Sequence, residues 1–90
     1  DSGVVARRFS GGEQPRVGDT AIIEVKLPEG VTASVFCRSE AVAAEQGPDA
    51  QPGTLTARFS EPGPVDWGVA LLGEEGELLS LYRYFDEVQP

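Results

Sequence analysis

The sequence predicts an all-β domain, and three observations carry that expectation. Apolar and polar residues alternate at period two, Gly and Pro clusters separate the alternating runs, and no segment sustains helical spacing for three turns. Six to seven short strands of this kind describe an antiparallel β-sandwich or a small barrel. Ninety residues make a single domain, 1–90. A chain of that size buries roughly 63 to 65% of its unfolded surface, enough for one modest core. With 40% hydrophobic and 24% charged residues the composition is that of a folded domain rather than an acidic disordered tail.

The elements follow in chain order. Val4 to Phe9 reads as a short first strand that carries Arg7 and Arg8. From Thr20 to Leu27, Ala21, Ile23, Val25 and Leu27 share one face and Glu24 and Lys26 the other, the pattern of a half-buried strand. From Val31 to Arg38 the inner set is Val31, Ala33, Val35 and Cys37, and the outer set Thr32, Ser34, Phe36 and Arg38. The Ala-rich stretch 40–46 suits one helical turn or a short edge strand. From Thr54 to Ser60, Leu55, Ala57 and Phe59 point inward; from Pro64 to Leu72, Val65, Trp67, Val69 and Leu71 do. The last strand, about Glu77 to Val88, has two apolar faces. Leu79, Leu81 and Phe85 share one with Arg83, and Leu78, Tyr82, Tyr84 and Val88 share the other.

The links have their own chemistry. In Leu27, Pro28, Glu29, Gly30 proline takes the first corner of a type I turn and glycine the last position, so this tight link is expected to make a hairpin within one sheet. Gly73 to Gly76 joins two apolar runs through a short acidic loop, a second hairpin signal. Gly11 to Gly18, Gly47 to Gly53 and Pro62 to Pro64 read as loops.

The run GTLTARFSEPGPVDWGVALLGEEGELLSLYRYFDEV resembles the last three strands of an immunoglobulin-like module of filamin, fibronectin or bacterial type. In such modules a strand, a Pro-Gly corner and an aromatic-led strand precede a final hairpin. Trp67 stands where they place an aromatic near the start of the penultimate strand. The resemblance covers about 40 of the 90 residues and implies an Ig-like β-sandwich. The paired cysteines of antibody domains are missing, which sets that subfamily aside.

The charge balance is 7 basic against 15 acidic side chains, a net of −8. Residues 61–90 hold seven of the acids and Arg83 as their one base. A surface of that sign repels phosphate backbones and anionic headgroups, so neither nucleic acid nor membrane is an expected partner, whereas a basic protein is steered towards it. A lone cysteine, Cys37, forms no internal disulfide and sits on an apolar face, where it acts as a small hydrophobe. Met, His and Asn are absent. A chain that starts at Asp1 without methionine is expected to be a module of a longer or processed protein.

Without histidine the common catalytic base is gone, and no nucleotide-binding glycine motif or calcium-loop pattern occurs, so no catalytic residue, cofactor or metal is assigned. Glu74, Glu75 and Glu77 read as a solvated hairpin tip. If the strands at 31–38, 65–72 and 78–88 share a sheet, their outward faces bring Phe36, Leu72, Tyr82 and Tyr84 together as a protein-binding face. The alternatives are that the tyrosines belong to the core, or that 40–46 covers them. The expected function is therefore a non-catalytic structural or protein-interaction module whose partner is another protein or a neighbouring domain. An acidic inhibitor or immunity-type protein using Glu74 to Glu77 and Asp86, Glu87 as a decoy against a basic enzyme is the alternative, and a carbohydrate-binding accessory module stands third.

Overall fold

A computed structural model describes residues 2–39, 44–47 and 53–90. Among them stand seven strands and no helix: β1 (Gly3–Phe9), β2 (Thr20–Lys26), β3 (Thr32–Cys37), β4 (Ala44–Gln46), β5 (Thr54–Phe59), β6 (Gly63–Leu72) and β7 (Leu78–Val88). They form two antiparallel sheets, ordered β1-β2-β5-β4 and β3-β6-β7.

The two sheets meet over one core, and alternation decides which residues enter it. Ala21, Ile23 and Val25 of β2 and Ala57 and Phe59 of β5 are buried from one side, while Val65, Trp67, Val69 and Leu71 of β6 are buried from the other. These are the inward sets the period-two pattern predicts. On β3 the expected inner residues Ala33, Val35 and Cys37 pack against the core but stay half-buried, because β3 lies at the edge of its sheet. Phe59 and Trp67 bridge the layers edge to face, with ring centroids 5.5 Å apart at 78°. The Cα radius of gyration is 12.8 Å, against about 12 Å expected for this length.

One expectation about chain path needs correction. The Pro28 to Gly30 link does not close a hairpin within one sheet; it carries the chain from β2 in one sheet to β3 in the other. The turn itself is tight, with the Val31 amide donating to the Pro28 carbonyl at 3.2 Å and Gly30 at φ +81°. A turn's length fixes a reversal of direction, and the flanking inward sets decide which sheet each arm joins. The stretch 40–46 ends in the short strand β4 on β5, whereas residues 40–43 and most of the loop expected at 47–53 lie outside the described residues.

Both edge strands β1 and β7 carry an irregularity, and each one sets a phase. On β1 the register shifts between Val4 and Ala6, so Val4, Arg7 and Phe9 lie opposite Val25, Ile23 and Ala21, all inward positions. A charged residue thereby enters the inner phase. On β7 the register shifts where Leu72 faces Leu78 while Leu71 faces Ser80. Continued unshifted, that pairing would set Arg83 opposite Trp67; with the shift, Tyr84 stands there.

Candidate functional site

The β7 shift overturns the expected binding face. Cross-strand partners share a face, so Tyr82 opposite Val69 and Tyr84 opposite Trp67 turn towards the core, where both are partly buried against it. Phe36 and Leu72 remain on the outer side of the sheet. The four residues do not meet on one surface.

The inner side of β7 closes the gap between the two sheets. Tyr82 lies with its hydroxyl against Gly3 of β1, where φ is +111° and a side chain would collide with the ring. Arg7 and the Trp67 indole both donate to Oδ2 of Asp86, each at 2.8 Å. The Arg7 guanidinium carbon sits 4.2 Å from the Tyr84 ring centroid and 5.2 Å from that of Phe9. A file of rings, Phe9, Phe59, Trp67 and Tyr84, thus runs through the core, with the Arg7 cation against Phe9, Trp67 and Tyr84. The Asp86 carboxylate partners that cation, so the inward charge on β1 is neutralised, and Asp86 does not belong to the outward acidic decoy expected of an inhibitor. Burial raises the pKa of the Tyr84 phenol above its ordinary value; nearby Arg7 opposes the shift, and Tyr82 and Asp86 add to it.

Among the described residues the outer side of β7 has no such cover, and residues 40–43 of the stretch expected to fold over it lie outside them. Leu81 is 46% exposed and Phe85 73%, and Leu78 and Leu79 at the head of the strand are also exposed. Between Leu81 and Phe85 stands Arg83, which donates to Asp66 of β6 at 2.9 Å. Rows of paired residues define the surface: Ser34, Ala70 and Leu81 in one, Phe36, Gly68 and Arg83 in the next, with Asp66 and Phe85 beyond. The central strand contributes only Gly68 and Ala70 to the middle of this face, which leaves it low between Phe36 and β7. Gly68 is required there, because a Cβ would collide with the Tyr82 backbone carbonyl oxygen and come within 2.7 Å of the Phe36 ring.

At the β6–β7 hairpin Glu74, Glu75 and Glu77 are all exposed, as the acidic tip predicts. Glu77 accepts from the Glu75 amide at 3.1 Å, and Glu74 folds against Gly30 of the neighbouring turn. No group of three potential metal ligands occurs among the described residues. Trp67, the largest flat ring a sugar-binding face needs, is fully buried. At the opposite end of the molecule a cavity of 330 Å³ is lined by Val17, Gly18, Arg58, Phe59 and Ser60, with Arg58 its one charged group. Cys37 is half-buried, its thiol directed to the Ser39 carbonyl at 3.8 Å.

The surface residues that sequence reasoning left unassigned are Leu81, Arg83 and Phe85. Their shared face was legible, and its direction was not. Comparison with known proteins returned no matching family model, no matching curated protein and no matching solved structure.

Proposed function

We propose that the chain is an Ig-like β-sandwich module with a non-catalytic, protein-interacting role, and that it meets its partner through the outer face of β3, β6 and β7. Strand order supports the fold reading. The sequence β1-β2-β5-β4 in one sheet and β3-β6-β7 in the other corresponds to the A-B-E-D and C-F-G sheets of seven-stranded constant-type Ig domains. The observation that carries the functional reading is the exposure of Leu81 and Phe85 beside the half-buried Phe36, because large apolar side chains gathered on one open sheet face mark a contact surface. Tyr82 and Tyr84 serve the core in this reading and Glu74, Glu75 and Glu77 form an acidic border.

That border supports a second reading, an acidic inhibitor of a basic enzyme, in which the exposed hairpin glutamates are the contact. Affinity capture at low and at about physiological salt separates the two. The chain and its Leu81→Thr/Phe85→Thr variant are each immobilised. The interaction reading expects a partner kept at the higher salt by the unaltered chain and lost with the variant. A basic enzyme released by salt and held equally by both forms would replace it with the inhibitor reading. Equal retention of every protein at both salts would remove the face from the account.

A further inference from the structure

Resting on the interaction reading above, we infer that the free edge of β7 takes up an extended segment of the partner as an added strand, and that this segment has apolar residues at alternate positions and basic residues at the end that meets the β6–β7 hairpin. β7 is the last strand of its sheet, and no described strand pairs with its outer edge before Gln89, which bonds to the Pro15 to Val17 segment. An unpaired edge of this length is a template for another strand unless something blocks it.

The blocks present on β1 are absent from β7. β1 is bent by its bulge near Val5 and carries Arg7 and Arg8. Leu78–Val88 contains no Pro and no Lys, and its one base, Arg83, is tied down to Asp66 away from the edge. Its irregularity lies at the hairpin end, so the stretch from Ser80 to Val88 pairs with β6 without a break. An added strand would carry its outward side chains alongside Leu81 and Phe85 and cover them.

Charge selects the occupant. Glu74, Glu75 and Glu77 stand exposed at the hairpin end of the edge, whereas at the other end exposed Glu87 is accompanied by exposed Arg16, which pairs alongside Gln89. A second copy pairing antiparallel about a two-fold axis would set the three hairpin glutamates of each chain against an end of the other that holds Glu87 and the single cation Arg16, a poor match for that charge. A strand with basic residues at the end beside the hairpin meets opposite charge there. At about 3.4 Å per residue an edge of this length matches a segment of eight to ten residues.

The probe is a ten-residue synthetic peptide with two lysines at each end and valine and threonine alternating between. Three companions go with it: two forms N-methylated at one or the other alternate set of central residues, and one with glutamates in place of the lysines. Amide hydrogen exchange of the whole chain is followed by NMR. The inference expects those amides of Leu78 to Asp86 that point away from β6 to slow at least tenfold with the parent peptide. One N-methylated form loses this protection and the other keeps it, while the glutamate peptide gives none. Equal binding of both N-methylated forms, with changes confined to the Phe36 and Phe85 side chains, would overturn strand addition and leave face docking intact. Absence of any protection by the parent peptide would overturn it as well. A dimer with protected β7 amides before peptide is added would assign the edge to a second copy, and equal binding of the glutamate peptide would remove the basic partner.

Discussion

β1 and β7 end their sheets on the same side of the molecule, yet the chain treats them in opposite ways. β1 is short, bulged and basic, and it spends Arg7 on Asp86 and the Tyr84 ring across the gap. β7 is long and runs in unbroken register from Ser80, with Leu81 and Phe85 left in solvent. One edge is locked and the other is left open. Edge protection is therefore a choice made strand by strand, and the strand without it is where a partner is sought.

The lock depends on the core beneath it, so the largest effect is expected there. Trp67 is fully buried, touches Phe59 and Tyr84 and donates to Asp86. Trp67→Ala is expected to lower unfolding free energy by about 3 to 5 kcal/mol in urea denaturation. A loss under about 1 kcal/mol would mean that the inner face of β6 does not carry the fold. Arg7→Ala tests the lock itself, with an expected loss of about 1 to 2 kcal/mol from one half-buried ion pair and its ring contacts. Arg7→Lys should restore only part of it, since an ammonium cannot lie flat on Tyr84 while reaching Asp86. Full rescue by lysine would reduce the contact to simple charge.

A smaller effect concerns alkali. The Tyr84 phenol has its pKa raised in the folded chain, chiefly by burial, so the native state holds that proton when the unfolded state has released it. Its contribution is fully present below about pH 10 and is lost as pH rises through the native value. Tyr84→Phe should flatten the fall in stability above about pH 10 in thermal scans. An unchanged alkaline slope would place its cause elsewhere.

Much of this architecture is legible in the residues, and the illegible parts have a common cause. Ile23, Val25, Phe59, Val65 and Val69 alternate cleanly, and all five are buried. What alternation cannot carry across is a bulge, because one extra residue reverses every later side chain. That is why the face shared by Tyr82 and Tyr84 was left open between solvent and core. Phe85 illustrates the converse: its company with Leu81 and Arg83 was readable, and only the position of Trp67 across the strand decides that the company faces water. The crossing from β2 to β3 was hidden for a different reason, since a four-residue turn has the same chemistry whether its arms join one sheet or two.

The central claim is that β7 serves the core with one face and leaves the other for a partner. Urea denaturation of the Leu81→Thr/Phe85→Thr double variant tests it most directly, threonine being chosen to preserve strand propensity. The account predicts an unfolding free energy within about 1 kcal/mol of the unaltered chain, the ordinary range for exposed positions. A loss of about 3 kcal/mol or more, comparable to removing a buried ring, would contradict it and return Leu81 and Phe85 to the core.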